Sequence, residues 1–187
     1  MSIRKIAVAA AMSLGLGSVA QAEGLTGSTV TGAIYCCNAP TEANRATNLV
    51  TATVGTGVEF PNGVFMSTVA GLAPVPATVD IGATTLTLQY LASAPAAPGG
   101  FDGYVFTFAN APSITNVMTD PASTLMPTDL NFTQNRLEIN VAGRALTPES
   151  RLVLNISAVP EPGQVGLMLA GLGAVALFAR RRQQRLH

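Results

Sequence analysis

The chain is predicted to be all-β, with one antiparallel β-sandwich or jelly-roll-like domain over residues 23–158. An N-terminal signal peptide is expected before it and a C-terminal transmembrane helix after it. Three observations predict this. All twenty threonines lie between Thr26 and Thr147, accompanied by valine, and β-branched residues suit pleated, half-buried strands. Apolar and polar residues alternate in short runs separated by Gly and Pro, the two-residue period of strands. No long amphipathic helical period interrupts them. About 137 residues suffice for one domain with its own core.

The elements follow in order. Val30, Gly32 and Ile34 alternate with Thr29, Thr31 and Ala33. Val50, Ala52 and Val54 form a second run, which Val58 and Phe60 are expected to continue after Gly55-Thr56-Gly57. Val79 and Ile81 flank Asp80, whereas Leu86, Leu88 and Tyr90 take the opposite parity. A turn or bulge near Gly82 to Thr84 must therefore shift the phase. Residues 91–100 carry Pro95, Pro98, Gly99 and Gly100 and read as a long connection. Tyr104, Phe106 and Phe108 place three aromatic side chains on one face, the expected heart of the core. Leu130 and Phe132, then Leu137, Ile139 and Val141, flank Gln134-Asn135 as a tight hairpin. Leu152, Leu154 and Ile156 make a last strand, with Val153 and Asn155 on its other face. About eight short strands with polar turns imply a sandwich or jelly roll.

Both ends differ from this body. Residues 1–22 begin with Arg4 and Lys5, continue with an apolar stretch from Ile6 to Leu16, and finish on Ala20-Gln21-Ala22. That is the three-part order of a secretory signal peptide, with cleavage expected after Ala22. Residues 159–187 begin Val159-Pro160-Glu161-Pro162, continue with an apolar run from Val165 to Ala179, and end on Arg180-Arg181-Arg182 with Arg185 beyond. Fifteen helical residues would rise roughly 22 Å, short of the about 30 Å hydrocarbon core. A helix over 165–179 is thus a marginal span, suited to temporary retention. The basic stop at 180–185 holds the C-terminus in the cytoplasm by the positive-inside rule. The prolines keep the preceding segment extended and open to a processing enzyme.

This order resembles the PEP-CTERM sorting tail of bacterial exported proteins. The resemblance implies handling by exosortase and the secretion machinery, a transient stay in the inner membrane, and delivery to the cell surface or extracellular matrix. The body is similar to a group of small PEP-CTERM proteins of uncharacterised function. The similarity rests on Val54-Gly55-Thr56-Gly57-Val58-Glu59-Phe60, on residues 101–108 (Phe101-Asp102-Gly103-Tyr104 onwards) and on Asp120-Pro121-Ala122-Ser123-Thr124-Leu125. It implies no activity.

Charge separates the body from its ends. Between Glu23 and Pro162 the basic residues are Arg45, Arg136, Arg144 and Arg151, four against all ten carboxylates, so this region carries a net −6 although the whole chain is formally neutral. An acidic surface is repelled by phosphate backbones, which argues against nucleic acid as a partner. The one histidine is His187, so Ser-His-Asp and Cys-His chemistry has no histidine in the body.

Candidate chemistry is sparse. Cys36-Cys37 sits where disulfides are permitted, and three arrangements stand open: a vicinal disulfide, one buried and one exposed thiol, or a crosslink between molecules. Two cysteines are too few for a closed zinc site. Asp80, Asp102, Asp120 and Asp129 lie near strand ends and turns. Asp102-Gly103 and Asp120-Pro121 read as turn pairs, and no EF-hand spacing accompanies them. No cofactor motif and no metal site is expected. Tyr35, Tyr90 and Tyr104 are the only tyrosines, and tryptophan is absent.

Two function classes follow. The first is a non-catalytic structural or adhesive surface protein, with exopolysaccharide or other matrix components as partners. The second is a secreted polysaccharide-binding module or glycan hydrolase that uses loop carboxylates, with calcium as a companion ligand.

Overall fold

The computed structural model describes residues 24–159 together with residues 171–172. Among these, eleven strands follow one another: β1 (Thr29–Cys36), β2 (Val50–Thr53), β3 (Ala77–Ile81), β4 (Thr85–Tyr90), β5 (Ala94–Pro95), β6 (Asp102–Ala109), β7 (Ser113–Thr119), β8 (Asp129–Phe132), β9 (Arg136–Asn140), β10 (Ala145–Leu146) and β11 (Arg151–Val159). All pair antiparallel. One sheet has the order β2-β1-β6-β9-β8, a second β3-β4-β11-β7, and β5 and β10 form a small ribbon. The fold is all-β, with antiparallel sheets.

The two sheets share one hydrophobic core. Val30, Tyr104, Phe106, Phe108, Leu137 and Ile139 from the first meet Val79, Ile81, Leu86, Leu88, Leu152 and Leu154 from the second. Tyr104 and Phe106 stack with ring planes 8° apart and centroids 5.9 Å apart, and Phe60 and Phe65 extend the aromatic group. Gly32 makes room for it: a side chain there would lie 2.8 Å from Cε1 of Phe106. A smaller cluster of Ala33, Tyr35, Phe101 and Val105 covers the opposite face of β1 and β6.

Three details depart from the alternation. Val58 and Phe60 do not continue β2. Val58 is exposed, and Phe60 forms an isolated bridge to Val79 with both main-chain hydrogen bonds made. Glu59 causes the break, because its Oε1 accepts the Gly55 N–H and its Oε2 the Ile81 N–H, curling residues 55–59 against β3. β7 has no clean two-residue period because Ile114 and Val117 both face the core. Opposite them, Ser157 pairs with Asn116 and Ala158 with Ile114, which leaves Thr115 as the extra residue of a bulge. Asp102-Gly103 is not a turn but the start of β6. A Cβ at Gly103 would overlap the Ile139 carbonyl across the β6–β9 ladder, so glycine serves close strand approach here.

Candidate functional site

The ends of β1, β4 and β6 meet beside the ribbon of β5 and β10 and enclose a cavity of about 160 Å³. Each strand delivers its terminal residue to the lining: Cys36 from β1, Tyr90 from β4 and Asp102 from β6. Residues 72–75 form the apolar rim, and Val141 and Leu146 the floor beyond. A second cavity of about 130 Å³ adjoins it and shares Ile34, Pro74, Val75 and Tyr104.

Asp102 is the one carboxylate lining the larger cavity among the described residues. Its Oδ2 accepts the Ala97 N–H at 2.5 Å, and its main-chain N–H donates to Oδ1 of Asn140 at 3.1 Å. Asn140 is buried and also donates from Nδ2 to the Gly100 carbonyl at 2.9 Å. These bonds sew residues 97–102 to the end of β9. Burial pushes the Asp102 carboxyl above its ordinary range, and the Ala97 N–H opposes that shift in part. Burial likewise holds the Tyr90 and Tyr104 hydroxyls neutral well above the ordinary tyrosine range, with the Asp102 charge adding to both.

Cys36 and Cys37 are joined as a disulfide between neighbours, with Cα atoms 3.7 Å apart. Cys37 adopts φ +84°, an uncommon conformation for a residue with a side chain. Its N–H donates to the Phe101 carbonyl at 2.6 Å. Opposite it the chain must be bare: a Cβ on Gly99 would lie 2.5 Å from the Cys37 carbonyl oxygen, and one on Gly100 would overlap that of Asn38. The Pro-Gly-Gly stretch is thus a docking strip for the disulfide turn.

The other aspartates do not join this site. Asp120 accepts from Ala122 N–H at 2.8 Å and from the Asn155 amide at 2.8 Å, bracing a turn. Asp129 accepts from its neighbours Leu130 and Asn131. Asp80 is an exposed β3 residue. No group of three or more metal-ligating side chains forms among the described residues. Tyr35 is buried on the far face and donates to Oε1 of Glu42 at 2.9 Å. Sequence reading passed over Glu59, Phe65, Asn140 and the 72–75 rim. Glu59 alone left a trace, as a charge in an otherwise apolar and glycine stretch.

The C-terminal sorting tail begins on β11. Val159 pairs with Ser113 as the last residue of that strand and is exposed. Pro160, Glu161 and Pro162, most of the helix expected over 165–179, and Arg180, Arg181 and Arg182 lie outside the described residues, as do the signal peptide and its Ala20 and Ala22. Within that expected helix, Gly171 and Leu172 are described and are helical. Among the described residues no helix is long and apolar enough to cross a membrane.

The family profile of the PEP-CTERM protein-sorting motif matches residues 158–183. The chain carries a PEP-CTERM sorting motif. That match takes in the last two residues of β11 and reaches past Arg180, Arg181 and Arg182. A PEP-CTERM motif implies an exported protein processed by exosortase. No match to the chain was found among curated proteins or among solved structures.

Proposed function

We propose that the protein is a non-catalytic structural or adhesive β-sandwich, delivered by its PEP-CTERM tail to the cell surface or extracellular matrix. The signal peptide carries residues 23–158 across the inner membrane, and the helix over 165–179 holds the chain there with Arg180 to Arg182 inside. Exosortase then acts near Pro160-Glu161-Pro162, and the body leaves the membrane to meet exopolysaccharide or other matrix components. The observation that carries this reading is the motif match over residues 158–183. The absence of histidine from the body and its net −6 agree with it. Glycan hydrolysis takes two carboxyl groups about 5 to 9.5 Å apart, whereas Asp102 lines the larger cavity without a second carboxylate among the described residues.

Mass spectrometry of surface and inner-membrane fractions tests it. The surface form is expected to begin at Glu23 and to lack residues 165–187. Replacing Arg180, Arg181 and Arg182 with Gln should reduce membrane retention before processing. Chains still carrying residues 165–187, found in inner-membrane fractions alone, would make the tail a plain anchor.

A further inference from the structure

Asp102 keeps one oxygen open to a partner. It is half-buried, and Oδ2 is engaged by Ala97, whereas Oδ1 accepts no hydrogen bond among the described residues and retains solvent-accessible surface. No cation faces it: the ion pairs among these residues are Glu42 with Arg45 and Glu138 with Arg136. No arginine lines the cavity. A half-buried carboxylate without a counter-charge is costly, and a positive partner offsets that cost.

The surroundings narrow the class of partner. An anion would meet the carboxylate at close range, and the body is already acidic. A calcium ion needs 6–8 oxygen ligands, usually with several carboxylates. The side chains lining this cavity include a single carboxylate, with no group of three or more metal-ligating side chains among the described residues. A sugar commonly stacks on an open aromatic face. Here the rings face each other: Tyr104 stacks on Phe106 and meets Tyr90 edge-on at 6.5 Å. The remaining lining is apolar, from Ile34, Val75, Val141 and Leu146 with the prolines. At about 160 Å³ the cavity lies below the range of drug-sized sites, which begins near ~300 Å³.

We propose that this cavity binds a small organic cation, a primary ammonium on a compact apolar body. The ammonium donates to Oδ1 of Asp102 and to the Tyr90 and Tyr104 oxygens, while the apolar body lies against the 72–75 rim. Binding is non-covalent, and the site goes beyond the sorting and surface role.

Calorimetric titration of the full chain in mild detergent tests this, with cyclohexylammonium chloride as probe and cyclohexanol and methyl glucoside as neutral comparators. Cyclohexylammonium should bind saturably and about tenfold or more tighter than cyclohexanol, a difference of the size a charge-assisted hydrogen bond gives. Asp102→Asn keeps an acceptor for Ala97 and should erase that preference. Ala73→Trp, at an exposed rim position, should block the probe while leaving the thermal unfolding midpoint unchanged. Equal affinity for cyclohexanol, tighter binding of the glucoside, undiminished binding by either variant, or no saturable binding at millimolar probe would each overturn the proposal.

Discussion

Glu59 and Ile81 lie 22 residues apart in sequence and are joined directly, the Glu59 Oε2 accepting the Ile81 N–H at 2.7 Å. The other oxygen of the same carboxylate takes the Gly55 N–H at 2.8 Å. One side chain therefore closes its own loop and fastens it to the end of β3, beside the buried Phe60. Hydrogen bonds to a charged group contribute about 1.5–3 kcal/mol each, and orphaned donors cost more than paired ones gain. Glu59→Ala should lower stability by about 2–3 kcal/mol in urea unfolding, and Glu59→Gln, which keeps one acceptor oxygen, by roughly half as much. Equal stability of both variants and wild type would remove the clamp from the account.

Gly103→Ala should be among the most damaging small substitutions. The added methyl has backbone on its path, in the middle of the first sheet, and overpacking of this kind costs about 1–3 kcal/mol or more. Gly57→Ala meets nothing within 4 Å and has no positive φ, so its unfolding midpoint should stay close to wild type.

The disulfide should contribute little to global stability and much to local order. A ring between adjacent residues restricts the unfolded chain only slightly, about 1 kcal/mol by loop-closure reasoning. Reduction should therefore leave the unfolding transition nearly in place. Hydrogen exchange at the Cys37 amide, which the Phe101 carbonyl protects, should accelerate. Non-reducing peptide mapping should find the link within one peptide; a disulfide dimer would exclude it.

Asp102 and Asp120 should pull pH dependence in opposite directions. The Ala122 N–H, followed by the Asn155 amide, lowers the Asp120 carboxyl, so its stabilisation is present above the unfolded value and lost as pH falls through the folded one. Burial raises Asp102, so its penalty is absent at low pH and sets in as pH rises through the unfolded value to the folded one. In thermal melts from acid to neutral pH, Asp120→Asn should fall progressively behind wild type, and Asp102→Asn should draw level or move ahead. Parallel curves for both variants would contradict these assignments.

Most of the fold is legible where burial follows the two-residue period. The three aromatic side chains expected at its heart, Tyr104, Phe106 and Phe108, are buried, and so are the alternating strand residues Leu137, Ile139, Leu152 and Leu154. The phase shift before Leu86 is the β3–β4 hairpin, closed by Gly82 N–H to the Thr85 carbonyl. Legibility ends where one residue breaks the period. Thr115 bulges and hides β7, and Glu59 turns the chain where alternation expects a strand. Phe132, which shares the parity of Leu130 in the hairpin, is 39% exposed because β8 lies at a sheet edge. The cavity was the least legible part, since Cys36, Tyr90 and Asp102 come from three separate strand ends and share no spacing.

Among the described residues β11 is the last strand to leave the ribosome, yet it lies between β4 and β7 in the second sheet. Until residues 151–159 have emerged on the far side of the membrane, β7 lacks its ladder and β4 has one open flank. Val159 is followed at once by Pro160, and the apolar run begins at Val165. The strand that completes the second sheet is thus the one that runs directly into the sorting motif. The stretch of chain that carries the sorting address is continuous with the stretch that closes the body, so a cut placed N-terminal to Val159 would remove part of a central strand along with the tail.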